Sequence, residues 1–391
     1  MQSAISIADL RQQARKRLPR AVFEFIDGAA QDEVTLAANR RDFEEFWFAP
    51  RVLVDVGECR QTVHVLGQAL RSPLILGPTG LAGVFWPQGD EATARATARA
   101  GVGYCLSTNS NASIEEVAAQ GREGFWFQLY VQRDRGKARE LIERARAARC
   151  TTLVVTVDLP VQGARERDLR NGFAVPPRLA PHNLLDYATH PRWLWHMATG
   201  PRIRFGNLDT PGQAHGNLTT VAQHVATQFD PTVSWKEIDW LRDLWQGPLA
   251  IKGVLHPEDA RRAVQHGADA VIVSNHGGRQ LDGAPSAISS LAGVVAAVDG
   301  RAEVLMDGGI RRGADVVKAL ALGARACLIG RAGLYGLAAN GEAGVLRAID
   351  ILMKEIDVTL TLLGRPDINA LDRSALRPTL QALQWMELSR A

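Results

Sequence analysis

The sequence predicts an α/β fold, a (β/α)8 barrel, and three observations carry that prediction. Short apolar runs alternate along the chain with amphipathic, alanine-rich stretches, which is the rhythm of βα units around a parallel sheet. Eight such runs end at Pro78, Ser107, Tyr130, Asp158, Lys252, Ser274, Asp307 and Gly330. That number suits a closed barrel better than an open doubly wound sheet. The run Ala270-Val271-Ile272-Val273 passes directly into Ser274-Asn275-His276-Gly277-Gly278-Arg279-Gln280, as when a buried strand delivers polar side chains at its carboxyl end. With 391 residues, 46% hydrophobic and 22% charged, the chain suits one barrel with extensions, and residues 1–391 read as a single domain.

The elements follow in order. Residues 1–50 read as a helical N-terminal cap, because Ser6-Ile7-Ala8-Asp9 fits a capping box and mixed apolar and charged residues follow it to about Phe46. The interval between Asp158 and the run near Leu249 is far longer than one crossover helix needs, so the fold carries a long loop insertion after the fourth strand. Its first part, Arg165 to Phe173, is dense in charge and should lie at the barrel mouth. Its middle, residues 176–216, holds Arg178, Arg192, Arg202 and Arg204 with Trp193, Trp195 and Met197. Indole among headgroups and arginine on anionic lipid make this a candidate membrane contact, against a plain insertion or an oligomer contact. No run is long enough to span a bilayer and the amino terminus lacks a signal-peptide core, so a membrane would be met from its surface. The cysteines, Cys59, Cys105, Cys150 and Cys327, are widely spaced without a zinc pattern and read as reduced thiols of a cytoplasmic protein. A net charge of +3 gives no global sign of nucleic acid as a partner.

Chemistry concentrates at the carboxyl ends of the runs. Asp307-Gly308-Gly309 with Arg311, and Gly330-Arg331, occupy the loops after strands seven and eight, where glycine-freed amides and a helix start make a phosphate site strengthened by guanidinium groups. Neither a G-x-G-x-x-G turn opening a helix nor G-x-x-x-x-G-K-[ST] is present. The ligand is therefore a flavin mononucleotide, a phosphosugar or pyridoxal phosphate. Lys252 at a strand end suits a Schiff base or a cation beside a reduced flavin. His276 is a base near neutrality, Arg279 a bidentate carboxylate anchor, and Asp158 a partner to orient the imidazole.

With these residues in view, the chain resembles the FMN-dependent 2-hydroxy acid oxidases and dehydrogenases, a family that includes glycolate oxidase, lactate and mandelate dehydrogenases and flavocytochrome b2. Its signature S-N-H-G-[AG]-R-Q stands here as Ser274 to Gln280, and the resemblance runs from Leu18-Pro19 through Pro78-Thr79-Gly80, Gln128-Leu129-Tyr130, Thr156-Val157-Asp158 and Ile251-Lys252-Gly253 to Asp307-Gly308-Gly309. It implies FMN as cofactor, with Pro78, Thr79 and Gly80 along the flavin and Ser107, Gln128 and Thr156 bonding its ring. Lys252 would sit by the N1 edge and Ser274 by the ribityl chain, with Asp307, Gly308, Gly309, Arg311, Gly330 and Arg331 at ribityl and phosphate. His276 would be the base and Asp158 its partner. Arg279 and Arg165 would bind the substrate carboxylate, and Tyr130 would bond a substrate oxygen. The implied reaction takes an (S)-2-hydroxy acid, mandelate-like or lactate-like, to the 2-oxo acid.

Two departures matter. Phe25 stands where many members carry a tyrosine that helps bind the carboxylate, and its ring cannot donate a hydrogen bond, which leans the pocket toward a bulky or aromatic acid. Gly80 stands where members that react readily with oxygen often carry alanine. Together with the basic, tryptophan-bearing loop, this implies a dehydrogenase passing electrons to membrane quinone at the inner face of the cell membrane; barrels of this type often assemble, so a homo-oligomer is expected. The alternative is a soluble oxidase that makes hydrogen peroxide.

Overall fold

Eight parallel strands close into a barrel in the computed structural model of the chain, which describes residues 4–121, 124–172, 184–208 and 229–388. They are β1 (Leu74–Leu76), β2 (Gly103–Ser107), β3 (Trp126–Leu129), β4 (Thr152–Thr156), β5 (Leu249–Val254), β6 (Ala270–Val273), β7 (Glu303–Asp307) and β8 (Ala326–Ile329), and β8 pairs with β1 to complete the ring. The expected ends fall close to these bounds throughout. The strands are unbroken apolar runs because helices cover the sheet outside and side chains fill it inside. All of β6 is buried, and Val271, Ile272 and Val273 each contribute roughly 1.5–3 kcal/mol by leaving water.

One end of the barrel is stoppered by a hairpin of Val63–Val65 and Gln68–Leu70. The Leu66 amide donates to the Glu303 carboxylate at the start of β7 (3.1 Å), and Trp126 Nε1 at the start of β3 donates to Gln68 Oε1 (2.8 Å). The carboxyl end of the strands is thereby left for chemistry.

Three N-terminal helices, α1 (Ile7–Arg17), α2 (Arg20–Asp27) and α3 (Val34–Arg41), lead into the barrel. The expected capping box opens α1: the Ser6 hydroxyl accepts from the Asp9 amide (3.2 Å) while the Asp9 carboxylate accepts from the Ser6 amide (3.0 Å). Arg11 grips Asp27 through two bonds of 2.6 and 2.7 Å, and Tyr335 donates to the same carboxylate at 2.7 Å, fastening α1 and α2 to the last long helix, Arg331–Leu363. From α3, Asn39 exchanges two side-chain amide bonds of 2.9 Å with Asn275 in the signature turn.

The insertion after β4 forms α4 (Glu166–Arg170), α5 (Leu184–Ala188) and α6 (Pro191–Thr199). Pro176, Arg178 and the segment ending at Gly216 lie outside the described residues. The two expected interfacial tryptophans separate. Trp195 is 67% exposed, but Trp193 is 4% exposed, donates to the Val84 carbonyl (2.9 Å) and stacks on Tyr187. Positions two apart on a helix point to nearly opposite sides, so Trp193 fastens α6 to the barrel and is not an interfacial residue. Met197 also packs against the core, and Arg204 pairs with Glu116. Among the described residues, no helix is long and apolar enough to cross a membrane.

Candidate active site

The signature turn is built to expose one imidazole. Ser274 Oγ accepts from Lys252 Nζ (2.8 Å) and from the His276 amide (3.0 Å), and the Asn275 side chain accepts from the Gly278 amide (3.1 Å). Between them His276, Gly277 and Gly278 are all left-handed, with φ of 59°, 67° and 77°. A Cβ on Gly278 would lie 2.8 Å from the Leu36 amide nitrogen, so only glycine serves there. His276 holds the same conformation at a steric cost, as residues at functional sites often do.

Its ring is fixed by one bond, since His276 Nδ1 lies 2.9 Å from Asp158 Oδ1. Donation from Nδ1 leaves Nε2 as the acceptor. Burial pushes the His276 pKa down and Asp158 offsets only part of that, so the imidazole is neutral near pH 7. Burial opposes the Asp158 charge, but His276 and then Lys252 hold its pKa below the usual carboxylate value. A neutral imidazole held by an ionised carboxylate is ready to take a proton.

The nearby arginines are seated by α2. Arg279 Nη1 donates to the carbonyls of Phe25 (2.8 Å) and Gly28 (3.0 Å), with the guanidinium 5.0 Å from the Phe25 ring centroid. Arg331 donates to Ile26 (2.9 Å), Gly28 (2.8 Å) and Gly277 (2.9 Å). The carbonyl end of a helix carries partial negative charge, which suits guanidinium groups. Arg331, expected at the phosphate, thus directs three of its five N–H donors to main-chain oxygens, leaving one on each Nη and its charge for an anion. Arg165 reaches the Arg279 carbonyl and Gln280 Oε1, both at 3.4 Å. Burial, then the charges of Arg165 and Arg331, pull the Arg279 pKa well down, and burial followed by Arg311 brings Arg331 to about 10. Asp168 on α4 answers Arg279 and Arg165 with one carboxylate, whose pKa burial raises. A buried cluster with this excess of positive charge favours anionic ligands.

These groups surround one cavity of about 640 Å³, within the range of small-molecule sites. Phe25, Pro78, Thr79, Gly80, Ser107, Tyr130, Arg165, Lys252, His276, Arg279, Asp307, Gly308, Gly309, Arg311, Gly330 and Arg331 all line it. Gln128, Thr156, Asp158 and Ser274 stand one layer back. Gln128 is reached through the Ser107 hydroxyl (3.2 Å), Thr156 is level with Lys252 on the neighbouring strand, and Asp158 and Ser274 lie behind His276 and Lys252.

The donor set fits a flavin nucleotide. Gln128 Nε2, Thr156 Oγ1 and Asp307 Oδ1 are buried polar atoms with no partner in the protein, and such atoms ordinarily have one. Lys252 Nζ lies 2.7 Å from Asp307 Oδ2. Burial works against the ammonium, but Asp307 and Asp158 outweigh it and raise its pKa, so a cation stands at the barrel centre. Gly309 is left-handed (φ 79°), and a Cβ there would fall 1.9 Å from the Asn39 carbonyl oxygen, so glycine lets the loop after β7 close against α3. The Arg311 and Arg312 amides already donate to Asp315 Oδ2 (2.9 and 3.0 Å).

Some lining residues went unread in the sequence: Asn109, Leu159, Gln162, Asp168, Phe205 and Phe229. Asp168 lies in the charged run expected at the mouth, three residues after Arg165. Phe205 and Phe229 carry no local signal, although Phe229 meets the Tyr130 ring edge-on at 5.6 Å. Burial, followed by the charge of Asp158, pushes the Tyr130 phenol to about 12, so it stays a hydrogen-bond donor.

Residues 14–378 match the family of FMN-dependent dehydrogenases. The chain belongs to that family. It is 46% identical over 373 residues to an L-lactate dehydrogenase of Caulobacter vibrioides (strain NA1000 / CB15N), covering 95% of this chain and 97% of that one. It is 44% identical over 375 residues to an L-lactate dehydrogenase of Pseudomonas syringae pv. syringae (strain B728a), covering 95% and 98%. Among solved structures, a monotopic membrane protein, (S)-mandelate dehydrogenase, superposes with a TM-score of 0.93 at 44% identity over 96% of this chain and 100% of the other. This FMN-dependent dehydrogenase is thus an oxidoreductase acting on 2-hydroxy acids, with FMN as its cofactor.

Proposed function

We propose that this family member oxidises an (S)-2-hydroxy acid with a bulky or aromatic side chain, mandelate-like in preference to lactate-like, and that its electrons pass to membrane quinone. One observation carries the chemistry: the Asp158-held imidazole of His276 faces the same cavity as Arg279 and Arg165.

The residues divide the work. The substrate carboxylate binds at Arg279, with Arg165 beside it, and relieves the charge crowding described above. The α2 carbonyls under Arg279 keep that anchor in place. Tyr130 donates to a substrate oxygen. His276 Nε2 accepts the proton that leaves the substrate, and Asp158 stabilises the imidazolium as it forms. When bound, FMN would supply the acceptor for the two electrons and the second hydrogen that leave as the hydroxyl carbon becomes a carbonyl, His276 taking the first hydrogen as a proton. Lys252 keeps a fixed positive charge beside that acceptor. The side chains of Phe25, Leu159, Phe205 and Phe229 are apolar parts of the cavity lining, which suits a phenyl group.

The membrane reading rests on α5 and α6, where Leu185 (84% exposed) and Trp195 turn apolar surface outward in a segment that also exposes Arg192 and Arg202. Contact there would put the enzyme peripherally on the inner face of the cell membrane.

Anaerobic mixing of the purified protein with a panel of (S)-2-hydroxy acids tests the reading. Mandelate should bleach the flavin band faster than lactate, with little peroxide formed per turnover when air is admitted. Absence of bleaching by any 2-hydroxy acid would refute the catalytic assignment, and stoichiometric peroxide would refute the quinone assignment.

A further inference from the structure

The insertion after β4 returns to the barrel through a short limb, Arg204 to Leu208, that is sewn into the end of β2. Asn207 is 3% exposed and uses both ends of its side-chain amide. Its Nδ2 donates to the Ser107 carbonyl (3.1 Å) and to Ser110 Oγ (3.0 Å), while its Oδ1 accepts from the Ile114 amide (2.9 Å), a helix-start donor that would otherwise lack a partner. Its carbonyl accepts from Arg144 Nη1 (3.1 Å). Next to it the Gly206 amide donates to the Ser110 carbonyl (3.0 Å), and a Cβ on Gly206 would lie 2.4 Å from the Ala112 carbonyl carbon. The limb therefore meets the β2 loop backbone to backbone, and the next residue back, Phe205, is 5% exposed and lines the cavity.

We propose that Asn207 is a positioning residue for substrate selectivity, holding Phe205 in the cavity wall so that an aromatic 2-hydroxy acid is preferred over a small aliphatic one. The inference rests on the substrate class proposed above. A buried amide with every bond satisfied fixes one geometry, because moving it strands several polar groups at once. The strand end it grips is the one that carries Ser107, so limb, flavin wall and substrate wall share a single anchor. The same insertion that offers Trp195 to the outside thus supplies an inner face of the active site.

The test is calorimetric binding of two 2-oxo acids, phenylglyoxylate and pyruvate, to the FMN-loaded protein, with melting temperature read alongside. It needs no turnover. Wild type should prefer phenylglyoxylate. Phe205→Ala should reduce that preference by about five- to tenfold with pyruvate binding little changed. Asn207→Asp keeps the acceptor for the Ile114 amide but turns an oxygen toward the Ser107 carbonyl, and it should reduce the preference to the same extent. Wild type without an aromatic preference would refute the proposed substrate class, and this inference with it. A wild-type preference that survives Asn207→Asp, or equal weakening of both ligands by that variant, would overturn the role of Asn207 alone.

Discussion

Replacing Asp158 with asparagine removes one charge from a pair whose geometry is on display, and its consequence can be worked through. At 2.9 Å and an effective dielectric near 20, the gross attraction between Asp158 and a protonated His276 is about 6 kcal/mol. Much of that is offset by the water both groups give up, and charge-assisted hydrogen bonds net about 1.5–3 kcal/mol. The pair matters most after proton transfer, when the ring is an imidazolium, so the loss falls on the barrier. Asparagine also presents an amide that can turn its NH2 to Nδ1 and favour the wrong tautomer. Together these give a loss of about 2–4 kcal/mol, or roughly 30- to 1,000-fold in kcat. Rapid anaerobic mixing with mandelate, following flavin absorbance in a single turnover, measures the step directly. Flavin content and the binding constant for phenylglyoxylate should stay near wild type, since Asp158 stands behind His276 and does not line the cavity. A reductive rate within about threefold of wild type would refute the pair as the proton-accepting unit.

Further outcomes follow from the same geometry. The base must be unprotonated to act, so kcat/KM should fall as pH drops through the His276 pKa, with the inflection below the ordinary histidine value of about 6.5 because burial lowers it; an inflection above that value would contradict the burial argument. Phe25→Tyr adds a donor beside the Arg279 guanidinium and should change kcat/KM for lactate by about three- to tenfold while altering mandelate less; kinetics unchanged from wild type for both acids would remove Phe25 from selectivity. Leu185→Glu with Trp195→Glu should cut binding to anionic vesicles by at least about tenfold in a flotation assay and leave turnover with a soluble dye intact. Gly309→Ala puts a Cβ against the Asn39 carbonyl in a left-handed residue and should destabilise the fold by about 3 kcal/mol or more, read as lost flavin and a lower melting temperature; full flavin occupancy would refute the close packing described there.

Strand ends were legible because apolar runs in a parallel barrel are buried on both faces and stop where polar residues begin, as at Val273 and Ser274. The signature turn was legible for a related reason: base, cation and glycines are contiguous in the chain. What could not be read was long-range. The seat under Arg279 is made of main-chain carbonyls, which every residue has, and it joins Phe25 to a residue more than 250 positions away. Asn207 and Phe205 likewise look ordinary until the fold brings the limb back to Ser107. Trp193 and Trp195 show the limit of composition, since both satisfied the membrane pattern and only their spacing on α6 separates them.

The α2 seat has a bearing on when the protein becomes active during its own synthesis. Arg279 and Arg331 rest on carbonyls of residues 25–28, while Gly277 contributes a third carbonyl to Arg331. Substrate recognition is therefore closed by joining the earliest helices to loops translated near the end of the chain. A ribosome-bound fragment that ends before β6 would present α2 with a helix end awaiting its cations, and a barrel shorn of α2 would hold two buried guanidinium groups without their counter-dipole. Neither piece would anchor a carboxylate, and competence would arrive as a single late event when the two distant parts of the polypeptide dock.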